Sequence, residues 1–274
     1  GEVTIPFFMY AEEAVDGLAR LNQQRKWMQR PAGAVPAYDV DKDRAAGIFA
    51  AVKAEGRKEL TTRESLDVLD AYGVRVCRAR FAVGEDEAVA AARAVGYPVV
   101  MKMTSKSTSH KTDVGGVRVN IGSDDELRAQ YRDLIAKLEA RGILEGLEGV
   151  IIQEMVKSNR ELVCGVAADP QYGPMIMFGT GGVFVEVMKD VGFALAPLTD
   201  VDAHELVRSV KAFKLLEGAR GTTPADIARV EETLLRLSQL VTDFPAVQEL
   251  DINPLMISNS TGEAIAVDGR IKLA

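Results

Sequence analysis

The stretch "YPVVMKMTSKSTSHKTDVGGVRVNI", Tyr97 to Ile121, decides the fold class. It opens as an apolar strand carrying Lys102, crosses a polar tip crowded with hydroxyls, and turns strand-like again after Gly115 and Gly116. Two strands joined by such a tip form an antiparallel hairpin. Just upstream, "VRVCRARFAV" reads as a strand and "EDEAVAAARAVG" as a helix. A strand, a helix and then a hairpin point to an α+β layer. A doubly wound parallel sheet would interpose a helix between each pair of strands.

Downstream, "SDDELRAQYRDLIAKLEARG" reads as a capped, charged helix. Three strands follow closely, "GVIIQEMV", "RELVCGVAAD" and "GPMIMFGTG". Helices at "DAHELVRSVKAF" and "ADIARVEETLLRLSQLVTDF" precede two last strands, "VQELDINPLMI" and "EAIAVDGRI". Upstream lie a helix over "KDRAAGIFAAVKAEG" and another opened by Thr61, where Glu64 completes a capping box and Gly73 ends the run. Earlier still, "TIPFFMY" reads as a strand limited by Pro6, and "AEEAVDGLARLNQQRKWMQRP" as a helix stopped by Pro31. Its Ala14, Leu18, Leu21 and Trp27 share a face, yet this strand and helix are too small to bury their apolar surface alone. "PAGAVPAYDVD" is punctuated like a linker.

The 274 residues fit one large domain or about two to three small ones, and a hydrophobic fraction of 47% excludes a mainly disordered chain. A net charge of −7 argues against a nucleic-acid partner, which needs a basic face, but leaves room for one nucleotide held by a few local cations. Cys77 and Cys164 show neither metal spacing nor a disulfide framework, which points to a reducing compartment such as the cytoplasm. The sequence shows no apolar run that would span a bilayer and no signal peptide, so no membrane partner is expected. It begins without methionine, so processing or excision from a longer chain is expected.

Several residues could carry chemistry. Lys102 either snorkels to a sheet edge or presents a cation to a phosphate. "HKTDVGG" could be a hairpin turn whose glycines satisfy positive φ, or a phosphate-binding nest of backbone N–H groups. Lysines at 102, 106 and 111 favour the phosphate. The glycines of "FGTGGVFVEV" fit a bulge or a loop closing on the same ligand. Asn253 and Asp268 sit on what read as neighbouring antiparallel strands. Such isolated side chains more often form turns than hold Mg²⁺.

Together, "GYPVVMKM", "SHKTDVGGVRVNI", "IIQEMV", "RELVCGVAADPQYGPMIMFGTGGVFVEVMKDV", "KLLEGARG" and "ELDINPL…VDGRI" resemble, in order, the ATP-grasp domain of the ADP-forming acyl-CoA synthetases, relatives of the succinyl-CoA synthetase β subunit. The match runs from about residue 60 to the end. The resemblance implies an α+β ATP-grasp fold with a nucleotide, ATP or ADP, between two lobes, residues 61–155 and 156–274. Residues 1–38 look like the end of a preceding CoA-ligase domain, and 39–60 like a linker and helix. Lys102 and Lys111 would contact phosphates lined by Gly115 and Gly116. Glu154, Met155 and Val156 would receive adenine, Glu161 would approach the ribose, and Asn253 with Asp268 would hold Mg²⁺, reversing the turn reading.

The family reaction joins a carboxylic acid and CoA at the expense of ATP, giving acyl-CoA, ADP and phosphate through a phosphohistidine. His110, in the segment matching "SHKTD", would be a nucleophile that receives the phosphoryl group. Partners implied are the CoA-binding and CoA-ligase domains of the same enzyme, which bind CoA and the acyl substrate, in an oligomer. Two alternatives stand beside this. One is a non-catalytic regulatory nucleotide-binding module of a protein lysine acetyltransferase. The other, a carboxylate–amine ligase of ATP-grasp type, fits the histidine-bearing loop less well.

Overall fold

The computed structural model describes residues 7–105, 116–142, 144, 147–181, 190–218 and 223–274. In chain order the elements are α1 (Ala11–Gln29), α2 (Lys42–Ala54), α3 (Thr62–Ala71), β1 (Ala79–Ala82), α4 (Glu85–Val95), β2 (Val99–Ser105) and β3 (Val117–Ile121). Then come α5 (Asp124–Ala140), β4 (Leu147–Glu154), β5 (Glu161–Asp169), β6 (Gly173–Thr180), β7 (Val191–Leu195) and α6 (Asp200–Ser209). The chain closes with α7 (Phe213–Leu216), α8 (Ile227–Asp243), β8 (Val247–Ile257), β9 (Ala264–Ala266) and β10 (Arg270–Leu273).

The hairpin of β2 and β3 pairs antiparallel, and β4 returns along the other edge of β2, giving a sheet of order β1-β4-β2-β3. The alternation of β2 sets its two faces. Val99, Met101 and Met103 pack with Val150 and Ile152 of β4 under α4 and α5, alongside Ala88, Ala92, Leu127 and Leu134. Val100, Lys102 and Thr104 are therefore left on the opposite face. The second sheet runs β10-β8-β5-β6-β7, with β9 also on β8, and all its pairings are antiparallel. Its main core joins Leu162, Cys164, Val166, Ile176 and Phe178 to Leu206, Leu234 and Leu237 of the helices.

Local chemistry explains the helix ends. Thr61 accepts from Glu64 N–H while Glu64 reaches back to Thr61 N–H, the capping box expected from sequence. Gly73 follows α3 at a φ of +72°, a conformation that favours glycine. Three expectations are corrected. Residues 7–10 form no strand and are exposed, because nothing pairs with them; the start of the expected "TIPFFMY" strand lies outside the described residues. "VRVCRARFAV" is a strand only over β1, since its earlier part turns to the second sheet, where Val76 bridges Ala266. "EAIAVDGRI" is split into β9 and β10 at Asp268 and Gly269. β7, which starts at the last residue of the long glycine-rich match, is a further strand that the sequence reading does not contain. Among the described residues no helix is long and apolar enough to cross a membrane.

Candidate nucleotide-binding cleft

Lys102 is 8% exposed, and its ammonium does not snorkel to water. It crosses from the first sheet to the turn between β9 and β10 of the second, donating to Val267 O at 2.8 Å and Asp268 Oδ2 at 3.0 Å. Asp268 is held from its other oxygen, which accepts from Gly269 N–H at 2.9 Å and from the Thr62 hydroxyl at 3.3 Å. A cation from one sheet and an anion from the other thus meet across the cleft.

The break between β9 and β10 places Asp268 beside β8. Arg270 stands opposite Asp251, Ala266 opposite Leu255, and Val267 N–H donates to Pro254 O at 3.3 Å. That pairing brings Asp268 level with exposed Asn253. Sequence reasoning missed Asp251, two residues before Asn253 and so on the same strand face. Burial, with the Asp268 charge nearby, raises its carboxyl to about 6, against a smaller lowering by Arg270. Asp251, Asn253 and Asp268 offer only oxygen donors, the hard set that Mg²⁺ takes. No cluster of three or more His, Cys, Asp or Glu suited to a metal exists among the described residues. A metal here would therefore take phosphate oxygens or water as well, as Mg²⁺ usually does.

The hinge between the sheets follows β4. The Glu154 carboxylate is engaged by Arg78, from N–H and from Nε, each at 2.8 Å. Met155 N–H donates to Pro98 O at 3.3 Å, whereas Val156 N–H meets no acceptor among the described residues. Of the expected adenine edge, then, the backbone of Val156 is open while the Glu154 side chain is committed. Val156 packs with Met256, Ile265, Val267 and Cys77 in a small apolar cluster. Burial pushes the Cys77 thiol up to about 12 despite the opposing Lys102 charge, with Glu154 and Asp268 adding to the rise, so this cysteine is not a reactive thiolate.

Glu161 opens β5, and its carbonyl accepts from Gly181 N–H at 2.7 Å. A side chain at Gly181 would lie 2.7 Å from Leu162 O, so this glycine is required by close approach to β5. Gly116 O accepts from Met103 N–H at 2.8 Å and closes the base of the hairpin. His110, Lys111 and Gly115 lie outside the described residues, as does Gly182. His204 is half exposed on α6 with Nδ1 3.2 Å from Glu231, a surface position away from the cleft. A cleft of about 840 Å³ at the β1 edge, lined by Arg63, Arg78, Phe81 and Ile151, shares the Ile151 that faces Lys102 but not Lys102 itself.

Two antiparallel sheets meeting over a buried lysine and an oxygen-donor turn define an ATP-grasp architecture. Comparison with known proteins agrees: the family model described as ATP-grasp domain matches residues 51–273. The chain is 41% identical over 98% of its length to the 4-hydroxybutyrate–CoA ligase [ADP-forming] of Nitrosopumilus maritimus, of which it spans 38%. It is 40% identical over 84% of its length to the acetate–CoA ligase [ADP-forming] I subunit beta of Pyrococcus furiosus, covering 98% of that protein. A solved structure of Ca. Korarchaeum cryptofilum dinucleotide forming acetyl-coenzyme A synthetase 1 superimposes with a TM-score of 0.73 at 37% identity, covering 84% of this chain and 100% of that one. That protein was captured with coenzyme A and Mg-AMPPCP, its phosphohistidine segment pointing towards the nucleotide binding site. The chain belongs to the ATP-grasp domains of the ADP-forming acyl-CoA synthetases.

Proposed function

We propose that this chain binds ADP or ATP with Mg²⁺ between its two sheets and exchanges a phosphoryl group between the nucleotide and His110. It would do so as the nucleotide-handling part of an enzyme that interconverts acid, CoA and ATP with acyl-CoA, ADP and phosphate. The observation that carries the reading is the Lys102–Asp268 pair across the cleft, with Asp251 and Asn253 beside it. Without ligand the two charges neutralise each other. With a nucleotide present, Lys102 turns to the phosphates while Asp268 and Asn253 face the metal. Mg²⁺, when bound, supplies charge neutralisation on the phosphates. The chain supplies positioning, the larger part of phosphoryl-transfer catalysis.

In the synthetic direction a ring nitrogen of His110 attacks the γ-phosphorus, an N–P bond forms, and the bond to the β-phosphate oxygen breaks as ADP leaves. Lys111, Gly115 and Gly116 would line the phosphates, and Glu161 the ribose. The chain spans little more than a third of its longer relatives, so CoA and acyl binding fall to partner domains, whether fused or in a second subunit. Residues 1–38 would be the end of such a domain. Retention of the lysine, the aspartate and the histidine supports catalysis over a purely regulatory nucleotide module.

The reading is tested by incubation with γ-labelled ATP, alone and with the partner subunit. An acid-labile, alkali-stable label should form, survive His204→Ala and vanish in His110→Ala. Label retained in His110→Ala would overturn the phosphohistidine role. Calorimetry showing no Mg–ADP binding by the wild-type chain would overturn the nucleotide reading.

A further inference from the structure

Five buried side-chain atoms have no hydrogen-bond partner among the described residues. Three are single neutral atoms: Ser65 Oγ, Thr104 Oγ1 and Gln153 Nε2, the last two on the face of the first sheet that looks into the cleft. The other two, Nε and Nη2, belong to one cation, Arg160. Leaving a hydroxyl or an amide unpaired forfeits a hydrogen bond, whereas burying a charge without a counter-ion costs several times more. An arginine cannot escape by losing its proton. Arg160 therefore calls for an anion.

The residue is held firmly in place. Arg160 is 6% exposed, its N–H donates to Ser158 Oγ at 3.0 Å, and its carbonyl accepts from Ile257 N–H at 3.0 Å. Leu162 and Cys164, two and four residues on, lie in the main core, so alternation sends Arg160 to the helix side of the second sheet. Its Nη1 reaches Leu215 O of α7 on that side, at 3.5 Å. Asp251, opposite Gly165, lies on the other face with the nucleotide cleft. α7 is a single turn and carries the start of "KLLEGARG", a stretch to which the cleft gives no role. The Leu215 side chain is half exposed, so the guanidinium lies just beneath the surface.

The two unpartnered atoms share one edge of the guanidinium. Nε–H and Nη2–H point the same way and form the side-on fork that grips two oxygens of one carboxylate or phosphate. Arg132 uses that edge on Glu85 in this same protein, from Nε at 2.7 Å and from Nη2 at 2.8 Å. At Arg160 the edge is desolvated, and burial lowers the guanidinium below its ordinary range with no carboxylate among the described residues to oppose it. We propose that the Nε–Nη2 edge of Arg160 is a binding site for a small oxyanion, a phosphate or a carboxylate, separate from the nucleotide cleft. The bound anion supplies the missing counter-charge and ties the start of β5 to α7. Its binding is therefore read as stabilisation of the fold.

The test is thermal melting of the 274-residue chain at fixed ionic strength, with chloride replaced stepwise by phosphate or by acetate. A ligand of the native state raises Tm with every tenfold excess over its Kd, by about 2–4 °C for a chain of this size. The wild type should show that rise with at least one of the two anions. The anion that acts at the lower concentration tells whether the site is built for phosphate or for carboxylate. Arg160→Met should give a flat titration. Lys102→Met, which removes the cation of the nucleotide cleft, should keep the response. A flat wild-type titration would mean that trapped water satisfies the fork, and it would overturn the proposal. So would a response that persists in Arg160→Met or disappears in Lys102→Met. Should Arg160→Met fold poorly, Arg160→Lys decides, because it keeps the charge and loses the fork. Its response should move to about tenfold higher anion concentration or more, and an unchanged response there overturns the site equally.

Discussion

Neutralising Asp268 should change nucleotide affinity in opposite directions with and without metal. In the ligand-free protein its Oδ2 sits 3.0 Å from the Lys102 ammonium, so an incoming phosphate must compete with a carboxylate already in place. It must also approach that carboxylate's negative charge. Two unit charges about 4 Å apart interact by about 4 kcal/mol at an effective dielectric near 20, and by about 1 kcal/mol in water. The Asp268 side chain is 33% exposed and that of Lys102 is 10% exposed, so solvent screens the pair in part. A net penalty of about 1–2 kcal/mol is the reasonable figure, worth about five- to thirtyfold in affinity.

Asp268→Asn removes that penalty and keeps an oxygen to accept from Gly269 N–H. Metal-free ADP should therefore bind the variant about five- to thirtyfold more tightly than it binds the wild type. With saturating Mg²⁺ the order should reverse, because an anionic ligand facing the metal has become a neutral one. Paired calorimetric titrations of ADP, in chelator and in excess Mg²⁺, read both arms. A merely structural Asp268 would weaken both. Shifts of the same sign in the two buffers, or no shift in either, would refute the assignment of Lys102 to phosphate and Asp268 to metal.

Two further outcomes concern stability. Burial tends to raise the Glu64 carboxyl, but the Arg57 fork and the Thr61 N–H and hydroxyl outweigh it and hold it below the ordinary carboxylate range. A depressed folded value means that this stabilisation is present above the unfolded value, about 4.3, and is lost as pH falls through the folded one. Glu64→Gln should cost about 1 kcal/mol at neutral pH in urea melts, and the gap to wild type should close on acidification below about pH 4.3. Separately, α1 contributes no buried residue, whereas Ala34 N–H donates to Asp200 at 2.8 Å and Tyr38 exchanges hydrogen bonds with Gln239. Deleting residues 1–29 should leave the melting temperature within about 2 °C of the parent, while deletion through residue 41 should lower it by more.

What sequence could and could not reveal follows from the range of each signal. The hairpin at Lys102, the capping box at Thr61 and the amphipathic α8 are local patterns, and each was legible where it stands. β7 was not, because its five residues are short, interrupted by Gly192 and soon followed by Pro197, and they become a strand only by pairing with β6. The cleft divides the same way. Lys102 and Asp268 stood out as charged groups at the margins of apolar segments, yet their meeting spans 166 positions of sequence and depends on two separate sheets. Asp251 and Gln153 were passed over for a subtler reason. Each lies inside an apolar strand where a lone polar residue reads as a sheet edge or a packing exception. Which face it occupies is set by the strand's neighbours: Gln153 points into the cleft because Ile152 packs under the helices beside Met101, and Asp251 faces the site because Leu250 and Ile252 are buried in the core. The same alternation that builds the two cores thus selects the polar residues that line the gap between them. A substitution inverting it at either strand would damage the core and the site together.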